Sequence, residues 1–382
     1  MDKKPKRMVP EVRFKGFTDD WEQRKLGKLV AVKSGKDYKT LNKGDIPVFG
    51  TGGYITSVNK SLSDVNAIGL GRKGTINKPY ILKAPFWTVD TLFFLVPTQQ
   101  VRLNFVYSLI QNVNWLKYDE STGLPSLSKK NIQNILVFST NYEEQNNIGN
   151  LLNLLEKLLS LQQRKLRQLK QLKKAMLQQL LVSKKDRLTP NVRFSDFSGS
   201  WKKCKLGEVI QDYTEKTIVE NQYPILTSSQ QHGIILQNEY FSGSRVSKTG
   251  NIGYFILPRG YFAYRNRSDN DTYVFNRNDC IDRGIISRFY PVFKPYNADS
   301  NFLLIRLNNG LRKELSLASE GTGQHVLSLK NFKNIQTQFP NLEEQHKIGD
   351  FISTLNSLIA LHQRKANILS NLKKFLLQKL FI

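Results

Sequence analysis

The chain is poor in the residues that form covalent staples, metal sites and membrane spans. Its 382 residues include two cysteines and four histidines, and the cysteines lack C-x-x-C spacing. These counts exclude a disulfide framework, and the histidines show no metal-ligand spacing. No apolar run approaches the roughly 18 residues of a membrane helix, and the N-terminal segment lacks the apolar core of a signal peptide. We therefore expect a cytoplasmic protein that binds no metal and contacts no membrane.

Negative charge is also scarce. The chain has 31 Asp and Glu residues against 57 Lys and Arg residues, a formal net charge of +26. Because each cation that neutralises a phosphate releases counterions, an excess spread over the whole chain favours a nucleic-acid partner. Solubility alone, or ribosome binding, would give the same bulk charge. The sequence lacks a Walker A loop and an Asn/Asp-Pro-Pro-aromatic methyltransferase motif, and its carboxylates are dispersed, so we expect no catalytic residues.

The chain contains an internal repeat that is too long for a solenoid. The segment P-x-V-R-F at 10–14, followed by Trp and K-L-G up to residue 27, recurs in the same spacing at 190–207. Residues 126–182 align without a gap on 326–382, with about 25 of 57 positions identical. The repeat predicts a first domain at 1–141, a helix at 142–182, a linker at 183–189, a second domain at 190–340 and a second helix at 341–382.

Two regions between the repeated parts share almost no sequence. Residues 28–121 and 208–320 both show short apolar runs separated by Gly, Pro, Asn and Ser, which is typical of β-rich domains with long loops. The predicted strands are 45–49, 67–70, 80–82, 91–96, 253–257, 261–264, 272–275 and 285–290. Amphipathic stretches at 104–117 and 299–316 predict helices. The duplication thus copies a framework and leaves its contents different.

Each half closes on a long apolar-periodic segment that predicts a helix of about 40 residues. Asn141 and Asn341 are the expected N-caps, each followed by Glu-Glu-Gln in the first turn. Packing onto the helix's own domain would show the same spacing, but two matched helices favour a coiled coil. The predicted seam includes Leu155, Leu158, Leu169, Leu172, Leu355, Leu358, Leu369 and Leu372. If the helices pair antiparallel, a rod of about 60 Å separates the two domains and measures distance along a DNA duplex.

Together these motifs resemble the DNA specificity subunit of type I restriction-modification systems. The resemblance covers nearly the whole chain and rests on five elements that each occur twice. They are P-x-V-R-F, W-x-x-x-K-L-G, the Ser-Leu-Ser-Lys-Lys-Asn stretch at 126–131 with its partner at 327–331, E-E-Q-x-x-I-G at 143–149 and 343–349, and Gln-Arg-Lys at 163–165 and 363–365. The resemblance implies an α+β fold with two β-rich target recognition domains, an antiparallel pair of long coiled-coil helices and a pseudo-twofold repeat.

The family resemblance also implies a function and partners. Each recognition domain would read one half of a bipartite sequence in double-stranded DNA, and the helix pair would set the unread spacer. Two methylation subunits that bind S-adenosylmethionine, and restriction subunits that use ATP and Mg²⁺, would supply the chemistry. This chain would bind no cofactor itself. Because the two variable regions resemble different recognition-domain subtypes, the two half-sites should differ.

Candidate DNA contacts lie in the loops of both variable regions. Residues 69–74 match G-x-G-x-x-G, but a strand and no helix is predicted after them, so a dinucleotide site is excluded. A phosphate contact suits the basic turn better, although two solvated cations on a Gly turn remain an alternative. Arginine, amide and hydroxyl side chains are the groups that contact base edges and phosphates. The predicted contacts are Gly52, Gly53, Tyr54, Arg72, Lys73, Ser228, Ser229, Gln230, Gln231, Arg265, Asn266, Arg267 and Ser268.

Two other classes of protein remain open from the residues alone. A stand-alone DNA methyltransferase or nuclease would modify or cut DNA without other subunits. A non-specific coiled-coil scaffold with a basic surface would bind random and target duplexes equally at matched salt.

Overall fold

The computed structural model describes residues 8–182, 187–241 and 250–382. Of the predicted linker at 183–189, residues 183–186 lie outside the described residues, as do 1–7 of the first predicted domain and 242–249 of the second variable region. The chain forms two compact units. Unit 1 contains Met1–Lys165 and His362–Ile382, and unit 2 contains Leu166–Leu361. Each unit therefore includes part of both long helices.

Unit 1 carries the first variable region on a framework that both chain halves repeat. Its elements are β1 (Glu22–Lys25), α1 (Leu26–Leu29), β2 (Val30–Ser34), β3 (Lys43–Gly50), β4 (Gly53–Val58), β5 (Ala67–Gly71), β6 (Tyr80–Leu82), β7 (Trp87–Thr88), β8 (Leu92–Pro97), α2 (Leu103–Gln111), α3 (Lys129–Asn134), β9 (Leu136–Ser139) and the start of α4 (Tyr142–Gln179). A 3₁₀ turn lies at Trp115–Tyr118. Each strand predicted for the first variable region overlaps an observed strand.

The strands of unit 1 form one four-stranded and two smaller sheets. The four-stranded sheet has the order β2-β8-β5-β6 and is antiparallel throughout, whereas β3 pairs antiparallel with β4 and parallel with β7. The repeated segments pair as β1 with β9. The main core packs Trp21 edge-on against Phe105 and Phe381, with ring centroids 5.9 and 6.1 Å apart. The framework therefore closes one core around residues from both ends of the described chain.

Unit 2 repeats the framework around a different set of strands. Its elements are the end of α4, β10 (Lys202–Lys205), β11 (Ile210–Tyr213), β12 (Leu226–Ser229), β13 (Gly233–Leu236), α5 (Gln237–Tyr240), β14 (Phe255–Pro258), β15 (Phe262–Tyr264), β16 (Arg267–Ser268), β17 (Phe275–Arg277), β18 (Arg283–Ile286), β19 (Val292–Pro295), α6 (Ser300–Asn308), α7 (Arg312–Ala318), β20 (His325–Val326), α8 (Leu329–Asn334), β21 (Gln336–Phe339) and the start of α9 (Leu342–Lys379). A 3₁₀ turn lies at Leu206–Glu208.

Unit 2 also has one four-stranded antiparallel sheet, and it differs from unit 1 in its smaller sheets. The four-stranded sheet is β11-β19-β15-β17, and β12-β13, β14-β18, β16-β20 and β10-β21 are pairs. Two predicted strands are displaced: 272–275 is a loop up to β17, and the strand predicted at 285–290 ends at Ile286 because a turn follows, with Tyr290 N–H bonded to Ser287 O. The helix predicted at 299–316 is interrupted at Asn309–Leu311.

The two long helices begin with the predicted caps. The Asn141 side chain accepts a hydrogen bond from Glu144 N–H and the Asn341 side chain from Glu344 N–H, each at 2.9 Å. In unit 1 the Gln162 side chain lies 2.7 Å from His362 and Glu156 lies 2.5 Å from Lys373, so the two helix segments there run antiparallel. Within the described residues, no helix is long and apolar enough to cross a membrane.

Half of the residues predicted for the helix seam lie outside the buried face of the helices. Leu155, Leu169 and Leu355 are buried and Leu369 is half-buried. Leu158, Leu172, Leu358 and Leu372 are exposed, at 38 to 41%. Positions 148, 152, 155, 159, 162, 166, 169, 173, 176 and 180 are all buried or half-buried, and the same holds 200 residues later. The inward face therefore follows steps of four and three that keep a heptad register.

A buried ion pair fixes each entry segment to the start of a long helix. Arg13 Nε and Nη2 donate to the two carboxylate oxygens of Glu144 at 2.7 and 2.8 Å, and Trp21 Nε1 donates to the same carboxylate at 3.2 Å. The hydrogen bond and the charge of Glu144 raise the pKa of Arg13. The Glu144 side chain is fully buried.

The same entry segment also meets the end of the other helix. Val12 N–H donates to the Lys379 carbonyl of α9 at 2.9 Å in unit 1. In unit 2 Val192 N–H donates to the Gln179 carbonyl of α4 at 3.0 Å. Because the last carbonyls of a helix have no partner within it, these bonds cap a helix end. Each unit thus joins the beginning of one long helix to the end of the other.

Candidate nucleic-acid interface

In unit 1 the candidate contacts lie on two neighbouring hairpins. The β3–β4 hairpin turns at residues 51–52, and Gly53, the first residue of β4, adopts a φ of +107° that favours glycine. Tyr54 is exposed at this turn. The Tyr80 hydroxyl of β6 donates to the Gly50 carbonyl at 2.6 Å, and burial raises the pKa of Tyr80 to about 12, so the hydroxyl keeps its proton as a donor. This bond holds the β3–β4 turn against the β5–β6 hairpin.

The basic turn of unit 1 follows β5 directly. Both Arg72 and Lys73 are exposed, and the connection to β6 contains no helix, as the sequence predicted. The Arg72 guanidinium carbon lies 5.7 Å from the centre of the Phe93 ring. The turn is held by the repeated framework, because Leu127 N–H donates to the Arg72 carbonyl at 2.9 Å and Gly74 N–H donates to the Pro125 carbonyl at 2.8 Å.

In unit 2 several candidate contacts meet in one polar cleft. It has a volume of about 270 Å³. Its walls include Ser228, Gln230, Arg265, Arg267, Ser268 and Asn276. The Arg267 guanidinium carbon lies 4.5 Å from the centre of the Phe289 ring, and its Nη1 donates to Gln324 Oε1 at 3.4 Å. Cations and amides around one cleft can donate to base edges or to phosphate oxygens.

Four of the polar candidates in unit 2 are bonded within the fold through a side chain or the backbone. Ser229 Oγ accepts from the backbone N–H groups of Gln231 and His232, both at 3.2 Å, and so caps the β12–β13 turn. Ser268 Oγ accepts from Thr272 N–H at 3.0 Å. Asn266 bonds through its backbone, and its side-chain oxygen is buried.

The fourth polar candidate, Ser228, is bonded by a residue that sequence reasoning missed. Asn276 of β17 donates to Ser228 Oγ at 2.8 Å and to the Ser229 carbonyl at 3.0 Å. The only signal in the sequence is that Asn276 is a polar amide in the middle of a short strand. The exposed candidates in unit 2 are therefore Gln230, Gln231, Arg265 and Arg267.

This chain is similar in sequence and in fold to known proteins of one family. The family model for the type I restriction modification DNA specificity domain matches residues 18–171 and again 199–371. A curated relative is the type I restriction enzyme MjaVIII specificity subunit of Methanocaldococcus jannaschii, which is 22% identical over 93% of this chain and 91% of its own. The crystal structure of the type I restriction-modification S subunit from M. genitalium has a similar fold, with a TM-score of 0.66 at 15% identity over 98% of this chain and 99% of that chain.

The two matches cover most of the chain, so it belongs to the type I restriction-modification DNA specificity family. It is similar over nearly its full length to specificity subunits and carries the domain twice. Its role is DNA sequence specificity within a restriction-modification complex, and its fold is α+β with an internal repeat and two long helices.

Proposed function

We propose that the chain reads a bipartite sequence in double-stranded DNA, one half with each variable region. The observation that carries this proposal is that the family domain occurs twice while the loops it presents differ. Unit 1 offers a glycine turn and a basic turn, whereas unit 2 offers a polar cleft with Arg265 and Gln230. Because base edges are distinguished by the pattern of donors and acceptors that meets them, different loops select different half-sites.

The proposed partners supply the chemistry. Two methylation subunits bind S-adenosylmethionine, and restriction subunits use ATP and Mg²⁺, while this chain contributes no catalytic group. Membership of a specificity family and an interface built for binding support this division. The complex would act on chromosomal DNA in the cytoplasm.

Methylation mapping tests the proposal. With the chain and its methylation partners expressed together, long-read sequencing of the host genome should show one methylated bipartite motif. Replacing residues 208–320 with the variable region of a related chain should then change one half of that motif and leave the other unchanged. Modification or cleavage by the purified chain alone, or a change in both halves, would contradict the proposal.

Arg265 is the sharpest single test of half-site reading. It is exposed in the unit 2 cleft. The Arg265→Ala change should weaken binding to the half-site of unit 2 by about 1 to 3 kcal/mol if the contact is to a base. The comparison is with duplexes altered in one half-site at a time, measured at fixed salt. An equal loss of affinity on every duplex would show that Arg265 contacts a phosphate and not a base.

We also propose that the helix pair sets the length of the unread spacer. Each helix is continuous over 38 residues, a length of about 57 Å. Inserting seven residues after Gln162 and after His362 keeps the heptad register and adds about 10.5 Å, or about three base pairs of spacer. The methylated motif should keep both half-sites with the longer spacer.

A four-residue insertion at the same two positions is the matched control. It should disturb the heptad seam and lower the thermal stability of the chain. A seven-residue insertion that leaves the spacer unchanged would contradict the helix-pair proposal.

A further inference from the structure

Three pairs of glycines recur in the two halves, and two of them are explained by packing. A Cβ on Gly27 would lie 2.9 Å from Gln133 Cβ, and one on Gly207 would lie 3.2 Å from Lys333 Cβ. A Cβ on Gly149 would lie 2.8 Å from the Phe105 nitrogen. Its counterpart Gly349 is equally crowded, with an Asp299 oxygen at 2.6 Å. Each of these glycines lets two segments of its own unit approach closely.

The third pair, Gly123 and Gly323, has no such explanation. A Cβ at either position would meet nothing within 4 Å, and neither glycine has a φ in the left-handed region. The fold of the described residues therefore accepts a side chain at both positions. Because glycine also serves where a backbone approaches a ligand closely, its recurrence here points to a partner outside the chain.

The loops that carry these glycines are anchored alike. We call residues 121–125 and 321–325 the twin loops. In unit 1 the Glu120 carboxylate accepts from Ser128 Oγ and the Asn131 amide, while in unit 2 Glu320 accepts from the Asn331 amide at 2.8 Å. Glu120 N–H donates to the Ser126 carbonyl at 3.1 Å, and Glu320 N–H donates to the Val326 carbonyl at 3.0 Å. The anchored loops present an exposed Thr-Gly pair in each unit.

The framework also places one exposed cation of each variable region beside a twin loop. Leu127 N–H bonds the Arg72 carbonyl and Leu327 N–H bonds the Asn266 carbonyl, at 2.9 and 2.8 Å. The next residue, Lys73, pairs with Ser126, and Arg267 pairs with Val326. Lys73 and Arg267 thus occupy equivalent positions, although the regions that supply them share almost no sequence.

We propose that each twin loop, with Lys73 in unit 1 and Arg267 in unit 2, forms a sequence-independent contact to the DNA backbone. The two half-sites differ in bases but share the sugar-phosphate chain, so a contact copied in both units fits the shared part. Each twin loop offers a threonine hydroxyl and one neighbouring cation, both of which can bind a phosphate. Its glycine lets the DNA backbone approach the loop closely. The inference rests on the proposed DNA-reading function and assigns to phosphate an arginine, Arg267, that was expected among the candidate base contacts.

The first test measures the salt dependence of binding by the full chain assembled with its partner subunits. The Lys73→Ala and Arg267→Ala changes should each reduce the slope of log K against log salt by about 0.9, equally on target and random duplexes. Lys25→Ala and Lys202→Ala remove an exposed framework cation in each unit and should leave the slope unchanged. A loss of binding affinity that is confined to one half-site, with the slope unchanged, would overturn the proposal.

The second test fills the empty space at the glycines. Gly123→Val and Gly323→Val should leave the thermal midpoint unchanged and weaken binding about tenfold on both duplexes. The contrasting Gly27→Ala change should lower the midpoint, because its Cβ has no room. Unchanged DNA binding with impaired subunit assembly would assign the twin loops to a protein partner and overturn the proposal.

A wild-type complex that binds target and random duplexes equally would instead refute the proposed function. The slope and glycine tests would still decide the backbone contact on random DNA.

Discussion

Units 1 and 2 agree closely where the sequence is repeated and differ where it is not. The Arg13–Glu144 and Arg193–Glu344 pairs have the same two-pronged geometry, with all four N–O distances at 2.7 or 2.8 Å. The variable parts share one four-stranded antiparallel sheet, but their smaller sheets differ: a three-stranded sheet in unit 1 and two-stranded pairs in unit 2. The comparison shows that fixed interactions at the edge of a domain hold a cation at one position even though the sequence around it has changed.

The largest expected effect tests whether both units depend equally on the buried ion pair. The changes Glu144→Ala and Glu344→Ala should each cost about 3 to 5 kcal/mol, because an arginine is left partly buried without its partner. Hydrogen exchange would report the loss in the unit that carries the change. Glu143→Gln and Glu343→Gln, on the exposed neighbouring acids, are the controls and should change stability little. A large loss in one unit only would break the equivalence of the two frameworks.

A second change should separate the units. Unit 2 buries Arg306, whose guanidinium donates to the Val182 carbonyl at 2.7 Å and to Thr337 Oγ1 at 2.6 Å, and burial lowers the pKa of Arg306 to about 10. Arg306→Met leaves those two acceptors unsatisfied and should cost about 2 to 3 kcal/mol in unit 2 alone. Denaturant unfolding with hydrogen exchange would measure it. A neutral effect would mean that water replaces the lost donors.

The smallest expected effect lies in the helix seam. Glu156 bonds Lys373 in unit 1, but the corresponding residues in unit 2 are Asn356 and Lys173, and burial lowers the pKa of Lys173. Asn356→Glu should therefore stabilise unit 2 by up to about 1 kcal/mol, and Glu156→Gln should destabilise unit 1 by a similar amount. Thermal unfolding at low and high salt would check both, since salt weakens the exposed part of an ion pair.

The sequence was sufficient for the repeat, the helix caps and most strands of the first variable region, because these depend on local pattern. It misplaced the helix seam because leucines stand side by side at 151–152 and 158–159, so two faces satisfy steps of three and four residues. Only packing selects the inward face. Glu144 was unpredictable for a related reason, since its burial depends on an arginine 131 residues away.

The candidate interface was less accessible to sequence reasoning. Residue type predicted exposed cations at Arg72, Lys73, Arg265 and Arg267, which are indeed exposed. It did not distinguish them from Ser229 and Ser268, whose hydroxyls close turns. That distinction depends on which backbone N–H groups the loop conformation brings within reach, and short-range sequence pattern does not specify it.

Each unit joins the beginning of one long helix to the end of the other, and this arrangement delays the completion of unit 1 during synthesis. In unit 1 the Trp21 ring packs against Phe381, which the ribosome adds about 360 residues later. At 5 to 20 residues per second, that interval is about 20 to 70 seconds. During it the aromatic face around Trp21 and Phe105 lacks its last partner, so the first domain to be made is among the last to be completed.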